Sequence, residues 1–246
     1  MGTDRLGSGA ALGVRLLTDP AAARPTAERL YGRRRGHRLR QRQQRLLDLT
    51  LPRIRLPDGD PRAAFPGATA LWLEIGCGSG EHALAQIAAH PDIGLIACEV
   101  FENGISSLLS RLVPEAGEAT AALPPNLRLF DQDARALLRR LPDAALDRLF
   151  LLFPDPWPKA RHAKRRFVHP DNLPLLARAL KPGAEWRIAT DDPTYQSWVA
   201  QVMSAQTAFT SAAPVRERPA GWPPTRYEAK ALRDGRTPLY WSFRRA

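Results

Sequence analysis

The sequence lacks the features that export or membrane insertion would require. Only two of its 246 residues are cysteines, Cys77 and Cys98, and both stand at the ends of apolar runs, where buried free thiols are expected. No apolar run approaches the roughly 20 residues of a membrane span. The N-terminal residues also lack the basic and apolar regions of a signal peptide. These absences predict a cytoplasmic protein that does not contact membranes.

Acidic residues are missing from two basic segments. Residues 33–45 contain seven arginines and residues 159–166 contain five basic residues, and neither segment has an Asp or Glu. Removing these twelve positive charges from the net charge of +11 leaves −1 for the rest of the chain. Two such patches favour a polyanionic partner, although either patch alone could be a solvated charged surface.

The chain divides into a tail, a basic extension and a larger domain. Residues 1–25 are rich in Ala, Gly and Pro without periodicity, which predicts a flexible tail. Residues 26–56 are predicted to form a basic N-terminal helical extension. Its helical pattern runs from Thr26 to Leu49 with an interruption at Gly36, and the second half places Arg38, Arg42 and Arg45 on one face. Residues 52–68 contain four prolines and two glycines, which indicates a linker into a domain at 69–246.

Short apolar segments alternate with helical segments throughout that domain. Strands are predicted at 70–75, 95–98, 127–130, 148–153 and 186–189, with two late strands near 208 and at 240–243. Helices are predicted at 81–89, 105–112, 134–141, 172–180 and 195–205. Strands separated by helices indicate a doubly wound α/β domain with a mostly parallel seven-stranded sheet.

A glycine-rich turn follows the first predicted strand. Gly76, Gly78 and Gly80 alternate, and glycine allows both positive φ and close approach of a ligand to the backbone. A phosphate-binding P-loop would continue with Lys and Ser or Thr, and a dinucleotide fingerprint would place the third glycine one residue later. Glu74, which precedes the first glycine, would repel a pyrophosphate and attract a cationic sulfonium ligand.

Two further acids end the next two strands. Glu99 follows the second strand, where a carboxylate can accept hydrogen bonds from the hydroxyls of a ribose. Asp133 follows the third strand, within reach of an adenine amino group. Each acid could also be a helix N-cap, but three acids at three successive strand ends favour a nucleoside-containing cofactor.

The most informative stretch follows the fourth strand, at residues 153–166. Three prolines stiffen this loop, Asp155 stands between two of them, and Trp157 offers an aromatic face for a base. The basic residues from Lys159 to Arg166 can contact phosphates. Asp155 could instead be a turn-former, and Trp157 a core or lid residue.

This loop resembles the signature of bacterial tRNA (guanine-N7-)-methyltransferases. It matches that family's pattern P-D-P-W-x-K-x-R-H-x-K-R-R at every specified position. Shorter similarities occur around residues 32–36, 74–80, 99, 133–134, 190–191 and 225–228, so the resemblance extends from Tyr31 to Phe243. Phe101 departs from the family, which has a more polar ring at this position.

The resemblance implies a Rossmann-like methyltransferase that uses S-adenosylmethionine to methylate N7 of a guanine in the variable loop of tRNA. It implies no metal, and nothing in the sequence indicates a homo-oligomer. The implied cofactor residues are Glu74, Gly76, Gly78, Glu99, Asp133 and Asp155, of which Asp155 is also the catalytic acid. The implied substrate residues are Lys159, Arg161, His162, Lys164, Arg165, Arg166, Asp191, Thr225, Arg226, Tyr227 and Glu228.

Methylation at N7 needs little chemical machinery. N7 of guanine already carries a lone pair, so the reaction requires in-line placement and a negative charge near the developing cation, but no general base. Asp155, with Asp191 or Glu228 nearby, could supply that charge. Three other functions remain open: a methyltransferase for protein or DNA, a nucleic-acid-binding protein without catalysis, and, least favoured by the glycine spacing, a nicotinamide dehydrogenase.

Overall fold

A single mixed sheet organises residues 30–246, the part of the chain that the computed structural model describes; the predicted tail at 1–25 lies outside these residues. In this part the sheet has seven strands in the order β3-β2-β1-β4-β5-β7-β6. The strands are β1 (Ala70–Ile75), β2 (Ile93–Cys98), β3 (Leu127–Phe130), β4 (Leu146–Leu152), β5 (Leu180–Thr190), β6 (Phe209–Ser211) and β7 (Leu239–Arg245).

The pairing confirms the mostly parallel sheet that the sequence predicts. Strands β1 to β5 are parallel to one another, and β7 runs antiparallel to both β5 and β6. The order of the strands reverses between β1 and β4, and in open α/β sheets ligands bind at such a point, outside the carboxyl ends of the strands. The glycine-rich turn and the loop at 153–166 both leave the sheet there.

Helices cover both faces of the sheet. They are α1 (Gln41–Arg45), α2 (Leu51–Ile54), α3 (Glu81–Ala89), α4 (Glu102–Leu112), α5 (Ala134–Arg140), α6 (Leu173–Ala179), α7 (Pro193–Ser204) and α8 (Arg226–Arg233). One π-helical turn, Leu46–Thr50, joins α1 to α2. Among the described residues no helix is both long and apolar enough to cross a membrane.

The side chains of β1 alternate between two apolar cores. Leu71, Leu73 and Ile75 pack into the core that contains α5, α6 and α7. Trp72 packs into the other core, which contains residues of α3 and α4. Because successive side chains of a strand point to opposite faces, Glu74 lies on the face of Trp72. This places the carboxylate of Glu74 on the side of α3.

The basic N-terminal segment packs on the start of α4. The amide of Glu102 donates to the carbonyl of Arg34 at 2.8 Å, and the amide of Gly36 donates to Asn103 Oδ1 at 2.9 Å. A Cβ at Gly36 would lie 2.7 Å from the ring of Phe101, so this approach requires glycine. The helical pattern predicted from Thr26 to Leu49 is therefore wrong for residues 30–40 and confirmed for residues 41–49. Helical structure begins at Gln41, because the preceding backbone bonds to α4, and it continues to the end of α2.

Two of the three arginines that were expected on one charged face dock the helix instead. Arg42 Nε and Arg45 Nη2 lie 3.3 and 3.5 Å from Glu118 Oε1, and Arg42 Nη2 donates to the carbonyl of Val113 at 2.6 Å. Glu118 is buried, whereas Arg38 is exposed. The basic patch thus divides into residues that hold the helix and residues that face solvent.

The predicted linker at 52–68 is partly built into the domain. The amide of Leu56 donates to the carbonyl of Leu129 at 2.7 Å, and both Leu56 and Phe65 are buried. A Cβ at Gly94 would lie 2.5 Å from the ring of Phe65. The prolines and glycines of this segment therefore shape a path over the sheet rather than a free connection, which corrects the linker prediction.

Candidate active site

The glycine-rich turn has the backbone that its sequence requires. Gly76, Gly78 and Gly80 adopt φ values of +73°, +56° and +75°, in the left-handed region that favours glycine. A Cβ at Gly76 would meet no atom within 4 Å, so the backbone there is open to a ligand. From the other side, a Cβ at Gly104 of α4 would lie 3.0 Å from the carbonyl of Gly78, so α4 packs directly on the turn.

Glu99 connects the end of β2 to this turn. One carboxylate oxygen, Oε2, accepts from the amide of Gly78 at 2.8 Å, and the other, Oε1, accepts from the amides of Val100 and Phe101 at 2.8 and 2.9 Å. Burial raises the pKa of Glu99, and the charge of Asp155 raises it further, against the lowering effect of the three amides. Glu99 is therefore a half-buried carboxylate held by neutral donors.

Glu74 has a partner that sequence reasoning missed. Its Oε2 atom lies 2.9 Å from Nδ1 of His82, and the His82 Nε2 atom lies 3.1 Å from Nε2 of Gln86. All three side chains are buried. His82 and Gln86 are one helical turn apart on α3, and this spacing is the only signal in the sequence for the pair.

Asp133 takes the structural role that the sequence left open. It is the N-cap of α5, where its Oδ1 accepts from the amide of Arg135 at 2.9 Å. Its Oδ2 also lies 2.6 Å from the guanidinium of Arg135. A contact between Asp133 and an adenine stays a prediction.

The loop that carries Asp155 is fixed at both ends. Phe153 and Trp157 adopt φ values of +50° and +45°, which side chains other than glycine rarely take. The amide of Phe153 donates to the carbonyl of Ala189 at 2.7 Å, which ties the loop to the end of β5. Asp155 is exposed, and none of the described residues donates a hydrogen bond to its carboxylate. The loop therefore presents a free carboxylate on a constrained backbone.

Arg166 points into the protein and holds this loop. Its Nε and Nη2 atoms donate to the carbonyls of Pro156 and Trp157 at 3.1 and 3.0 Å. Its guanidinium lies 4.7 Å from the ring centroid of Trp198, and the residue is 5% exposed. This geometry favours a positioning role for Arg166 over the predicted contact with RNA.

Trp157 lies among cationic and aromatic groups. The guanidinium of Arg165 lies 4.8 Å from the Trp157 ring and 5.4 Å from the ring of Tyr31, and the ring of His162 meets Trp157 edge-on at 5.8 Å. Partial desolvation and then the neighbouring positive charges lower the pKa of His162, which keeps it neutral at pH 7. The remaining basic side chains of the loop are exposed: Lys159, Arg161 and Lys164.

Helix α8 was not predicted, although the sequence contains its signal. Thr225 and Glu228 form a capping box, with the Thr225 hydroxyl accepting from the Glu228 amide at 3.1 Å. Glu228 Oε2 accepts from the Thr225 amide at 3.4 Å, and its Oε1 accepts from Tyr240 and Arg218 at 2.7 and 3.0 Å. Both oxygens of this buried carboxylate are thus occupied within the protein.

The first turn of α8 lies against the glycine-rich turn. Tyr227 and Arg226 would lie 3.6 and 3.7 Å from a Cβ at Gly78, and the Arg226 guanidinium donates to the Tyr227 hydroxyl at 3.0 Å. Asp191, after β5, pairs with Arg236 at 2.9 Å. The structure therefore brings Arg226 and Tyr227 to the predicted cofactor turn, whereas Asp191 is engaged in an ion pair.

A groove beside the basic segment was also missed by sequence reasoning. It has a volume of about 830 Å³ and lies between residues 34–39, α1 and α2 on one side and the ends of β2 and β3 on the other. Arg34 and Arg38 line it, are exposed, and form no ion pair with a described residue. The groove therefore has free positive charge on one wall.

Comparisons with known proteins agree with this architecture. A family model described as "Putative methyltransferase" (Methyltransf_4) matches residues 68–240. The tRNA (guanine-N(7)-)-methyltransferase of Granulibacter bethesdensis is 69% identical over 217 residues, which cover 88% of this chain and 94% of the relative. The enzyme of the same name from Rhodospirillum rubrum is 50% identical over 236 residues, covering 90% of each chain.

Solved structures share the fold at low identity. The 16S rRNA methyltransferase KamB superposes with a TM-score of 0.55 at 17% identity, covering 75% of this chain and 92% of its own. The 16S rRNA (adenine(1408)-N(1))-methyltransferase of Catenulisporales acidiphilia gives a TM-score of 0.53 at 18% identity, covering 78% and 96%. Both are Rossmann-like, in agreement with the predicted fold.

The capping box makes Thr225 a test of structural against substrate roles. Thr225→Ala removes the N-cap hydroxyl, and we expect the free energy of unfolding to fall by about 1 kcal/mol, measured by urea denaturation. Thr225→Ser keeps the hydroxyl and is the matched control, with most of the stability retained. An alanine variant as stable as the parent would show that the cap does not stabilise α8.

Proposed function

Because the chain belongs to the tRNA (guanine-N7-)-methyltransferase family, we propose that it transfers the methyl group of S-adenosylmethionine to N7 of a guanine in the variable loop of tRNA, in the cytoplasm. One observation carries the proposal. The constrained loop after β4 presents the free carboxylate of Asp155, whose charge raises the pKa of the half-buried Glu99 beside the glycine-rich turn. A cofactor site and a substrate site therefore meet at the carboxyl edge of the sheet.

The residues at the turn fit S-adenosylmethionine better than a phosphate ligand. Glu74 and Glu99 place negative charge at the turn, and Glu81 rather than Lys follows the third glycine. When bound, S-adenosylmethionine supplies a methyl group on a positively charged sulfur. Glu74 would hold the cationic part of the cofactor, the open backbone of Gly76 and Gly78 its middle, and Asp133 its adenine.

Glu99 has few free hydrogen-bond acceptor sites with which to bind the ribose. An ionised carboxylate has about four acceptor sites, and backbone amides use two on Oε1 and one on Oε2. The remaining site on Oε2 can accept one ribose hydroxyl without breaking the bond to Gly78. This refines the expectation that Glu99 accepts both hydroxyls.

Asp155 is the best candidate for the carboxylate that faces the guanine. Of the three acids that the sequence offered, Asp191 is paired with Arg236 and Glu228 has both oxygens occupied. Asp155 alone has no hydrogen-bond donor among the described residues. It can accept from N1–H and N2–H of guanine, and its charge stabilises the purine as the ring becomes cationic. No proton needs to be removed from N7 before attack.

The exposed basic residues supply the contacts to the RNA backbone. Arg161 and Lys164 lie on the loop beside Asp155, and Arg34 and Arg38 line the groove near the end of β2. Phosphate contacts fix the orientation of the nucleic acid without reading its sequence. We therefore propose that the two patches bind different parts of one tRNA.

A chemical assay tests the function directly. The protein is incubated with labelled S-adenosylmethionine and unmodified tRNA, and the product is reduced and treated with aniline, which cleaves the chain at N7-methylguanine. Cleavage in the variable loop is the expected result. A matched tRNA that contains 7-deazaguanine lacks N7 and should incorporate no label. Label that persists in the 7-deazaguanine tRNA would contradict methylation at N7.

The proposed mechanism predicts that turnover depends strongly on the negative charge of Asp155. Asp155→Asn keeps the shape of the side chain but removes its charge, so turnover at saturating S-adenosylmethionine should fall by about 10²–10³-fold, while RNA affinity holds within a few-fold. Asp191→Asn is the matched control, and its smaller expected loss reflects the ion pair with Arg236. Turnover near the parent rate in Asp155→Asn would leave positioning alone as the source of catalysis.

The carboxylate that follows β2 predicts a cofactor-binding effect. Glu99→Ala should weaken S-adenosylmethionine binding by about 1.5–3 kcal/mol in calorimetric titrations, with little change in RNA affinity. Because burial raises the pKa of Glu99, its ionised form is lost at a higher pH than in an ordinary glutamate, so cofactor affinity should decline as the pH falls through that raised pKa. Glu99→Gln should flatten this pH dependence. Equal cofactor affinity in the alanine variant would assign Glu99 a purely structural role.

The loop also predicts the salt dependence of RNA binding. In the variant with both Arg161→Ala and Lys164→Ala, the slope of log affinity against log salt should decrease by about 0.7–0.9 per lost phosphate contact. Cofactor affinity should be retained. Arg244→Ala, which removes an exposed arginine near the start of β5, is the control and should leave the slope unchanged. If the parent, the double variant and the Arg244→Ala control have equal slopes, this patch is a solvated charged surface that does not contact the RNA.

A further inference from the structure

The buried side chain of His82 contacts the carboxylate of Glu74. His82 Nδ1 and Glu74 Oε2 lie 2.9 Å apart, and the two side chains are only 3% and 5% exposed. The His82 ring also packs edge-on against Phe150, with ring centroids 4.7 Å apart. The ring therefore has little room to turn away from Glu74.

Both ring nitrogens of this histidine have a partner. The side-chain nitrogen of Gln86 lies 3.1 Å from His82 Nε2, on the side of the ring away from Glu74. An ionised carboxylate can only accept hydrogen bonds, so Nδ1 of His82 carries the proton that is donated to Glu74. Gln86, His82 and Glu74 thus form one chain of contacts.

No arginine or lysine among the described residues pairs with Glu74, and its hydrogen-bond donor is His82. An arginine or lysine at this position would form an ion pair and leave little net charge at the turn. The other carboxylate oxygen, Glu74 Oε1, accepts no hydrogen bond from a described residue. Glu74 thus has a free acceptor oxygen two residues before Gly76.

We propose that His82 is a positioning residue, which through its Nδ1–H bond holds Glu74 in the orientation that receives the cationic methionyl part of S-adenosylmethionine. The inference rests on the proposed function, because it requires that cofactor. It adds a second requirement. The hydrogen bond from His82 to Glu74 determines how strongly the positive charges of S-adenosylmethionine contribute to its affinity.

Calorimetric titration with two ligands separates this role from a general structural one. S-adenosylmethionine carries an ammonium and a sulfonium, whereas 5′-methylthioadenosine has the same nucleoside but neither charge. His82→Leu should weaken binding of S-adenosylmethionine by about tenfold and binding of methylthioadenosine by less than about twofold. His82→Asn, whose amide can donate from the position of Nδ1, should restore S-adenosylmethionine binding to within about threefold of the parent.

A double-mutant cycle tests whether His82 acts through Glu74. In the Glu74→Gln background, His82→Leu should cause little further loss of S-adenosylmethionine affinity. Thermal melting verifies that each variant is folded, and His82→Ala, which also lacks the donor, replaces the leucine variant if that variant does not fold. Additive losses in the cycle would overturn the proposal.

The remaining outcomes distinguish this inference from the proposed function. Equal weakening of both ligands by His82→Leu, or a folded His82→Asn variant that binds as weakly as the leucine variant, would overturn the positioning role alone. A parent protein that binds tRNA but no S-adenosylmethionine would overturn the proposed function, and this inference with it.

Discussion

Two carboxylates, the buried Glu74 and the half-buried Glu99, lie at the carboxyl edge of the sheet without an arginine or lysine partner among the described residues. Glu99 is bonded to three backbone amides, and Glu74 to a histidine. Acids elsewhere in the described chain are commonly neutralised by arginine, as Glu118 is by Arg42 and Arg45. A buried charge is costly unless it is paired, and this cost is the physical reason for proposing that a cation from outside the protein binds at this edge of the sheet.

The basic residues follow a complementary rule. Arg42, Arg45 and Arg166 point inward, where they dock the N-terminal helix and hold the loop that carries Asp155. Among the basic residues that remain exposed, Arg34 and Arg38 line the groove near the end of β2, and Arg161 and Lys164 lie on the loop that follows β4. The basic residues therefore have two roles. Some of them stabilise the fold, and others remain available to bind a polyanion.

The sequence predicts the sheet well because buried parallel strands have an unambiguous apolar pattern. The bounds predicted for β1 and β3 agree with the structure, and the glycines of the turn are required by their positive φ values. The start of β5 was predicted six residues late, at Trp186 rather than Leu180, because the polar residues between them interrupt the pattern and the ladder is irregular there.

The candidate site was predicted less completely because side-chain direction depends on tertiary contacts. The acids at the strand ends were found, and the helix cap at Asp133 was one of two roles left open, but nothing local shows that Glu228 is occupied by Tyr240 or that Arg166 turns inward. Helix α8 was missed although Thr225 and Glu228 have the spacing of a capping box. Helical structure predicted before Gln41 is absent from residues 30–40, because contacts with α4, distant in sequence, determine the backbone around Gly36.

The left-handed backbone conformations of Phe153 and Trp157 lower the stability of the protein, but they also constrain the loop that carries Asp155. Each costs about 1–3 kcal/mol relative to a relaxed backbone, and glycine would remove most of that strain. Glycine would also give the loop many conformations, of which few present Asp155 as the folded protein does. Substitutions at these two positions that raise the melting temperature are therefore expected to slow the enzyme. Selection for thermal stability alone would remove the constrained backbone that the proposed mechanism uses.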